Sequence, residues 1–381
     1  MGNCCNCLKG LFSDKEGKDD KLLMPDLNVS LLSRDSTSST SSERNSTVYV
    51  PDVAAKLTDF KKLKVLGKGS FGKVVLVQLV SNNKLFAMKI LKKKVIIKRR
   101  QVNHTKTERE LLEKLNHPFI VKLYYAFQDE QKLYFITEFM QGGELFFHLK
   151  RNSIYKDRAV VFYLSEIILA IEYMHNNNYI YRDLKPENIL IDKHGHIKLT
   201  DFGLSKIVSD EEKKTYTMCG TAEYLAPEVI FEKGYDKTCD WFSLGVVMYE
   251  MLCGIHPFPR KSPKMELKTY TKPLQYPKNV TVSSQAKDLI SKLLEPNPRK
   301  RLGYNGADDI KRHKYFKEID FEMVLEKKYK PPFVPKLYND FDLRYFDIGF
   351  TSDNVESLEN NTKIKSLGEF EGFSYQPNGV S

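Results

Sequence analysis

Hydrophobic and polar positions change their period part-way along the central region of the chain. Short apolar runs typical of strands are interrupted by one helical stretch at 102–115. Farther on, 160–174 and 241–252 are apolar over most of the helical circumference, which is typical of buried helices. The pattern predicts an α+β fold in which a small β-rich lobe with one helix precedes a larger helical lobe, with a ligand cleft between the lobes. The predicted strands are 63–66, 73–80, 85–91, 122–127, 133–138 and 189–191.

The two ends of the chain differ from this central region. Residues 1–56 are polar, with a serine and threonine run at 36–42 and too few apolar groups to pack, so we expect a disordered arm. A folded domain is predicted over 60–316. Residues 317–381 form a tail in which prolines block regular structure and aromatic residues recur.

Composition and charge limit the class of protein. Hydrophobic residues at 41% and charged residues at 29% are ordinary for a soluble globular protein. The net charge of +11 comes from scattered basic residues and no nucleic-acid module occurs, so we expect no nucleic-acid partner. No apolar run has the length of a bilayer span, and the N-terminus lacks the apolar core of a signal peptide. Isolated Cys219, Cys239 and Cys253 indicate reduced thiols in a cytosolic protein.

The glycine-rich segment 67–74 (GKGSFGKV) lies between two predicted strands. Glycines allow the backbone to approach a phosphate closely and to point N–H groups at it, although such a hairpin is often a simple turn. Lys89, in the next apolar strand, favours the phosphate interpretation, because a charge there is costly unless it is paired. Glu108 on the following helix is the candidate partner.

The segment 181–188 (YRDLKPEN) is a predicted loop between a buried helix and a short apolar strand. In it, Asp183 can accept a hydroxyl proton, Lys185 can neutralise a moving phosphoryl group, and Asn188 can hold a metal. Asp201, in the Asp-Phe-Gly that follows the next hairpin, would bind Mg²⁺ on the phosphates of ATP. Loop, hairpin and Asp-Phe-Gly in this order are specific to phosphoryl transfer, so we predict ATP and Mg²⁺ as cofactors.

Together these motifs resemble those of the eukaryotic protein kinases, whose motif set also includes the Ala-Pro-Glu found at 226–228. The resemblance covers about 60–316 and implies a bilobal kinase fold. It implies that Glu228 pairs with Arg301 and that Asp240 braces the backbone of the catalytic loop.

The resemblance also assigns roles to single residues. It implies that the catalytic residues are Lys89, Glu108, Asp183, Lys185 and Thr221, and that the metal ligands are Asn188 and Asp201. The implied ATP-binding residues are Leu66, Gly67, Lys68, Gly69, Ser70, Phe71, Gly72, Lys73, Val74, Ala87, Lys89, Glu138, Met140, Glu144 and Phe346.

Finer features resemble the AGC group of serine/threonine kinases, which holds protein kinases A, G and C and protein kinase B. Tyr181 stands where many kinases have histidine, and 217–228 (TMCGTAEYLAPE) is similar to the segment of that group, apart from Ala222 in place of the usual proline. The tail of this group wraps back along the small lobe, so Phe370 and Phe373 are expected to fill a groove beside the Glu108 helix. The tail segments that carry the resemblance are 330–335, 339–347 and 370–375.

Two residues occupy the positions of regulatory phosphorylation in this group. A phosphate on Thr217, added by an upstream kinase, is expected to pair with Arg182 and His104 and so to tie the two lobes together. A phosphate on Ser374 would hold the tail in its groove. The intermediate tail site of the group usually precedes a proline, and none lies between 350 and 370, so the use of Ser357 or another residue is open. Basic residues expected near Ser374 are Lys93, Lys94, Arg99 and Arg100.

Substrate choice follows from the same resemblance. Glu144 and Glu187 match the acidic pair that receives basic residues upstream of the acceptor, so protein substrates with arginine or lysine there are predicted. Leu204 favours serine over threonine, and Thr137 is expected to guard the back of the adenine pocket. We expect a monomer.

The N-terminus resembles a dual lipidation signal. Gly2 would be myristoylated, and Cys4, Cys5 and Cys7 palmitoylated, although Asn6 departs from the preferred serine or threonine. One myristoyl chain anchors only marginally, so the cysteines would supply the second signal. We therefore expect the chain at the cytoplasmic face of a membrane and in the cytoplasm. A zinc site is the competing interpretation, but the spacing is cramped and no fourth ligand is near.

Other functions leave different sequence marks. A pseudokinase scaffold, which keeps the fold only for binding, would have lost Lys89, Asp183, Asn188 or Asp201, and all are present. A calcium-dependent kinase would carry EF-hand loops, which the sequence lacks. Lys185 in the catalytic loop disfavours tyrosine kinase activity.

Overall fold

A computed structural model describes residues 55–152, 154–208, 214–258, 267–355 and 370–376. Among these residues, no helix has both the length and the apolar character needed to cross a membrane. The lipidation residues Gly2, Cys4, Cys5 and Cys7 and the tail residue Ser357 lie outside the described ranges.

The small lobe is an antiparallel sheet of five strands in the order β1-β2-β3-β5-β4. Two helices follow β3 directly, α1 (Lys93–Lys98) and α2 (Val102–Lys114). The strand runs and the α2 helix predicted from the sequence are confirmed to within a few residues, whereas α1 was not predicted. The strands are β1 (Phe60–Lys68), β2 (Gly72–Leu79), β3 (Leu85–Lys92), β4 (Leu123–Gln128) and β5 (Lys132–Glu138).

Alternation along the strands gives this sheet two different faces. Phe86, Met88 and Ile90 of β3 pack into an outer core with Val75 and Val77 of β2. The residues between them, including Lys89, therefore face the opposite side, where the cleft lies. The alternation of apolar residues along β3 thus points the Lys89 side chain into the cleft.

The large lobe is built around two buried helices, α4 (Asp157–Asn176) and α6 (Thr238–Cys253). Both predicted helices are confirmed, and the two-lobed α+β fold with them. A three-stranded sheet, β6-β8-β9, and a two-stranded pair, β7-β10, lie where the large lobe meets the cleft. The remaining helices are α3 (Leu145–Asn152), α5 (Pro227–Ile230), α7 (Leu267–Tyr270), α8 (Ser284–Leu293), α9 (Ala307–Lys311) and α10 (Phe321–Leu325), and the strands are β6 (Gly143–Glu144), β7 (Tyr179–Ile180), β8 (Ile189–Ile191), β9 (Ile197–Leu199) and β10 (Lys206–Ile207).

The tail returns from the large lobe to the small lobe. The ring of Phe346 stacks on Phe139, with centroids 5.8 Å apart, just before the short helix α11 (Ile348–Thr351). At its far end Tyr375 forms a bridge with Ala126 on the edge strand β4. The wrapping tail that the sequence resemblance implies is therefore present in the described residues.

Candidate active site

Three charged side chains meet at the centre of the cleft. The Lys89 ammonium lies 2.6 Å from Glu108 Oε1 and 3.0 Å from Asp201 Oδ1, so the predicted ion pair is present. The positive charge of Lys89 is the largest influence on the Asp201 carboxyl and holds its pKa below its ordinary value. Burial alone would lower the pKa of Lys89, but the two carboxylates outweigh it and raise that pKa. Lys89 is therefore a fixed positive charge beside an ionised Asp201.

Asp183 is the hub of the catalytic loop. Its Oδ2 accepts hydrogen bonds from Lys185 Nζ (2.9 Å) and Asn188 Nδ2 (2.8 Å). Its Oδ1 accepts from the hydroxyl (3.0 Å) and the amide (3.2 Å) of Thr221. Lys185 also donates to the Thr221 hydroxyl at 2.7 Å. Lys185, Asn188 and Thr221 thus form one hydrogen-bonded group around the carboxylate of Asp183.

The backbone of the catalytic loop is held by a buried aspartate on α6. Asp240 is fully buried, and its two oxygens accept the amides of Tyr181 (2.9 Å) and Arg182 (2.8 Å), as the resemblance implies. These bonds support an unfavourable conformation, because Arg182 has a φ of 69°. His175 Nε2 is a third partner of Asp240, at 2.8 Å, which the sequence did not predict.

A second buried contact joins α5 to the end of the large lobe. Arg301 donates to both carboxylate oxygens of Glu228, at 2.6 and 2.8 Å, and both side chains are buried. Arg301 also donates to the carbonyls of Thr238 and Glu295, each at 3.0 Å. The pair implied by the sequence resemblance is present with all its polar groups engaged.

The glycine-rich loop leaves room for phosphates. The Gly69 amide donates to the Gly72 carbonyl at 2.9 Å and closes the hairpin, while a Cβ on Gly67 or Gly69 would meet open space. In contrast, a Cβ on Gly72 would overlap the carbonyl oxygen of Ile90. The first two glycines therefore keep the tip open, and the third allows β2 to pack against β3. Ser70 and Phe71 occupy the tip between them.

Some residues of this loop do not face the cleft. Val74 pairs with Lys89 across β2 and β3 and shares its side of the sheet. Strand alternation turns Lys73 to the outer face, where its ammonium donates to the carbonyl of Val355 in the tail. Lys68 forms an ion pair with Asp353. The side chains of these two lysines therefore contact the tail, and the assignment of both residues to ATP binding stays a prediction.

The adenine end of the cleft is formed by β3, β5 and the segment that follows. Ala87 pairs with Thr137, whose hydroxyl lies 3.5 Å from the Ala87 carbonyl, and the role of Thr137 at the back of the adenine pocket stays a prediction. Met140 is buried, and its carbonyl accepts the Gly143 amide at 3.1 Å. The Glu138 carboxylate accepts hydrogen bonds from Lys198 Nζ and from the Lys122 amide, each at 2.7 Å, so protein groups hold its side chain.

Leu66 of β1 and Phe346 of the tail lie at the cleft mouth. Both line a cavity of about 660 Å³ that also contains Glu144. Phe346 is held there by its stacking on Phe139, and its predicted approach to the adenine stays a prediction.

The donor set suits Mg²⁺ bound together with phosphates. Asp201 keeps an ionised side chain that is 49% exposed to the cleft. The Asn188 amide nitrogen is committed to Asp183, which leaves the amide oxygen as the ligand atom. Mg²⁺ in phosphoryl-transfer sites takes one or two protein oxygens and completes its shell with phosphate and water. The described residues contain no cluster of three or more His, Cys, Asp or Glu side chains that would form a protein-only metal site.

Comparison with known proteins decides the family. Residues 60–316 match the family model described as "Protein kinase domain". The chain belongs to the protein kinase family. Its relatives place it among the serine/threonine kinases of AGC type.

Three relatives illustrate the similarity. The kinase is 44% identical over 335 residues to the serine/threonine-protein kinase Sgk1 of Xenopus tropicalis, covering 85% of this chain and 80% of Sgk1. It is 42% identical over 339 residues to the human RAC-beta serine/threonine-protein kinase, covering 88% and 70%. It is 44% identical over 324 residues to the serine/threonine protein kinase ypkA of Aspergillus fumigatus, covering 84% of this chain and 51% of ypkA. The kinase thus spans about half the length of ypkA.

Thr217 lies on an exposed segment that is connected to the catalytic loop through one tyrosine. The Tyr235 hydroxyl donates to the Thr217 carbonyl at 2.6 Å, and Arg182 Nη1 donates to the same hydroxyl at 3.0 Å. Burial, and to a lesser extent the positive charge of Arg182, lowers the pKa of His104. Thr217 is thus linked to Arg182 through Tyr235, a connecting residue that the sequence did not suggest, and the pairing of a Thr217 phosphate with Arg182 and His104 stays a prediction.

The C-terminal aromatic residues fill the predicted groove of the small lobe. Phe370 is 1% and Phe373 2% exposed, and the Phe373 ring packs edge-on against Phe135 at 5.2 Å. Lys93 lies over the Phe370 ring at 5.6 Å, so this member of the expected basic set contacts the tail. Ser374 is exposed beside it.

Contacts that no local sequence signal indicates fix this tail segment. Gln128 Nε2 donates to the Phe370 carbonyl at 2.9 Å. Arg109, on the same helix as Glu108, donates to the Gly372 carbonyl at 3.1 Å. Arg99, which was expected near Ser374, instead stacks over Phe71 at the tip of the glycine-rich loop, 5.2 Å from its ring.

An acidic cluster lies beside the catalytic loop. Glu144 keeps a solvent-exposed edge, yet the protein around it desolvates its carboxylate, and together with Glu187 and Asp347 this raises the pKa of Glu144 to about 7. Burial also raises the pKa of Glu187, whose Oε2 is buried without a hydrogen-bond partner among the described residues. Sequence reasoning missed a third carboxylate, that of Glu250 on the buried helix α6. Burial and the charge of Glu187 raise the pKa of Glu250 to about 7, although the hydrogen bond that the Tyr224 hydroxyl donates to its carboxylate acts in the opposite direction.

Proposed function

We propose that this kinase transfers the γ-phosphate of ATP, bound with Mg²⁺, to serine or threonine hydroxyls of proteins with basic residues upstream of the acceptor. The observation that carries the proposal is the simultaneous assembly of two groups of side chains. Lys89 bonds both Glu108 and Asp201 on the nucleotide side, while Asp183 gathers Lys185, Asn188 and Thr221 on the acceptor side. A scaffold that only binds needs neither arrangement.

Each group has a definite task in the reaction. Lys89, held by Glu108, binds phosphate oxygens of the nucleotide and orients it. Mg²⁺, when bound by Asp201 and Asn188, supplies neutralisation of charge on the phosphates. The Oδ1 of Asp183 now accepts the Thr221 hydroxyl at 3.0 Å, and a substrate hydroxyl brought to the same oxygen would be oriented for in-line attack and would give up its proton there.

Lys185 stabilises the charge that develops during transfer. Its ammonium bridges Asp183 (2.9 Å) and Thr221 (2.7 Å), so it is already positioned beside the acceptor site. A preorganised cation at this point lowers the barrier without reorganisation during the reaction.

The acidic cluster supports a preference for basic substrates. Glu187 has a buried carboxylate oxygen that lacks a hydrogen-bond donor among the described residues, and Glu144 and Glu250 share its negative environment. An unpaired buried oxygen is costly, and an arginine or lysine of the substrate would satisfy it.

Phosphorylation of Thr217 and of Ser374 is proposed to activate the kinase. A phosphate on Thr217 would sit near Arg182 and His104, and its charge would favour the protonated form of His104, whose pKa is now lowered. A phosphate on Ser374 would strengthen a tail that already contacts α2 through Arg109. Thr217→Ala should lower the rate of transfer strongly, and an unchanged rate in a sample whose wild type is phosphorylated there would refute this switch.

Membrane association through acyl chains on Gly2 and the adjacent cysteines is proposed from the sequence alone. Gly2→Ala should move the kinase from the membrane fraction to the soluble fraction of a cell lysate. Identical fractionation of the two proteins would contradict the proposal.

The direct test of the activity is phosphate transfer from MgATP to a serine peptide that contains upstream arginines. Asp183→Asn should remove activity, whereas Asp309→Asn, which changes a partly buried carboxylate on α9 paired with the exposed Arg312, should leave it intact. Equal rates for wild type and Asp183→Asn would refute the assignment of Asp183.

A further inference from the structure

The cavity at the cleft mouth has two unlike walls. It measures about 660 Å³ and extends from Leu66 and Phe346, which are predicted ATP-binding residues, to the space between α3 and the tail, where Glu144 and Asp347 line it. Two large apolar side chains also line it and remain in contact with solvent. Phe146 is 39% exposed and Ile348 is 80% exposed. Single exposed apolar residues are ordinary, but two that line one cavity beside carboxylates form a mixed acidic and apolar site.

The tail wall of this cavity is fixed in place. Tyr345 packs against His148 (5.2 Å between ring centroids) and Phe333 (5.7 Å). A Cβ on Gly143 would overlap the Tyr345 carbonyl, so the tail backbone lies directly against the start of β6. Asp347 accepts the Gly349 amide at 2.8 Å and caps α11. Ile348 is therefore presented by an anchored segment rather than by a loose chain end.

The carboxylates define a direction that leads away from the acceptor site. Glu187 lies in the catalytic loop close to Asp183 and Lys185, which both influence its pKa. Glu144 pairs with Leu190 on β8, three residues after Glu187, and the adjacent Gly143 lies against the tail at Tyr345, two residues before Asp347. The order of the acidic groups is thus Asp183, Glu187, Glu144 and Asp347, and Ile348 follows Asp347 in the chain.

We propose that this cavity is a specificity subsite for a large aliphatic or aromatic side chain of the protein substrate. The side chain would belong to a residue on the N-terminal side of the basic residue that Glu144 receives. The acidic groups bind the basic residue, and Phe146 and Ile348 cover the apolar neighbour. The inference rests on the proposed function and adds to it a second requirement, so that the preferred substrate is basic and apolar rather than merely basic.

The test compares serine peptides that share the upstream arginines and differ at one position. Leucine, alanine or aspartate is placed in turn at each of the positions N-terminal to the distal arginine, and KM and kcat are measured with the full-length kinase. At one position, leucine should lower KM about three- to tenfold relative to alanine, since only part of the side chain is covered. Aspartate at that position should raise KM, because it faces Glu144 and Asp347.

Variants locate the effect in the cavity. Ile348→Ser and Phe146→Ser should each bring the ratio of the alanine-peptide KM to the leucine-peptide KM close to one. Leu325→Ser, which changes a 42% exposed leucine on α10, should keep the ratio of the wild type. Both KM values of a ratio are measured on the same variant, so a general loss of stability would affect both and would not by itself bring the ratio to one.

Two results would overturn the proposal, and they differ in what else they affect. If transfer requires arginine but the KM values for leucine and alanine are equal at every position, the subsite alone is refuted. A preference for leucine that persists in both Ile348→Ser and Phe146→Ser would also refute the subsite alone. Absence of transfer to all the peptides by a kinase phosphorylated on Thr217 would refute the proposed function and the subsite with it.

Discussion

Replacing Phe373 by alanine is expected to release the C-terminal tail from the small lobe. Complete burial of a phenylalanine side chain contributes about 1.5–3 kcal/mol. The edge-on contact with Phe135 at 5.2 Å adds about 0.5–1.5 kcal/mol. The sum, about 2–4.5 kcal/mol, corresponds to a roughly 30- to 1,500-fold weaker docking equilibrium at 1.4 kcal/mol per factor of ten.

Amide hydrogen exchange at Ala126 reports this docking directly. Strand β4 is at the edge of the sheet, and the Ala126 amide donates to the Tyr375 carbonyl at 2.8 Å, so the tail is what protects it. Exchange should accelerate in Phe373→Ala but not in Phe341→Ala, which changes a 50% exposed aromatic residue of the same tail. Unchanged protection of Ala126 in Phe373→Ala would refute the reasoning.

The same substitution should reduce catalysis. Arg109 of α2 binds the Gly372 carbonyl, and α2 also carries Glu108, the partner of Lys89. A displacement of about 1 Å in such a group can cost up to about 100-fold in rate. We expect kcat to fall for Phe373→Ala, with the rate of Phe341→Ala as the reference. An accelerated exchange at Ala126 together with a normal kcat would separate tail docking from catalysis and contradict the proposed activation.

Two further predictions concern pH and stability. Because the pKa of Glu144 is raised to about 7 and its ionised form binds arginine, the KM for an arginine peptide should rise several-fold as the pH falls from 8 to 6; a KM that is constant or that falls would contradict the role of Glu144. Arg301→Met would leave Glu228 buried without its partner, so the free energy of unfolding should fall by about 3–5 kcal/mol. The fluorescence of Trp241, the single tryptophan of the chain, can follow urea unfolding, and a change below about 1 kcal/mol would show that the pair is dispensable.

The parts of the site that the sequence predicted are those whose residues are close in the chain or stand at fixed distances from a motif. Asp183, Lys185 and Asn188 share one loop, and their hydrogen bonds follow from that proximity. The pair of Lys89 and Glu108 was predictable because a charge on a buried strand needs a partner, and Glu108 is one of the glutamates of the helix predicted to follow.

The parts that were missed depend on contacts between distant segments. Glu250 lies on a helix whose pattern indicates only burial, and its place beside Glu187 arises from the packing of α6 under the catalytic loop. The hydrogen bond from Lys73 to the tail carbonyl of Val355 could be predicted only by knowing which face of β2 the tail covers. Helix α1 has the sequence KKVIIK, which is short and β-branched, so local pattern alone does not indicate a helix. Helix α8, in contrast, begins with a detectable signal, since the Ala286 amide donates to the Ser283 side chain.

The most direct test of the central claim is phosphate transfer from MgATP to an arginine-containing serine peptide by the full-length kinase and by Asp201→Ala. Both proteins are first checked for equal thermal stability and for phosphorylation of Thr217. The account predicts transfer by the wild type and a loss of at least about 100-fold in Asp201→Ala, because the ionised carboxylate that faces the nucleotide is removed. Equal rates for the two proteins, or no transfer by a phosphorylated wild type, would contradict it.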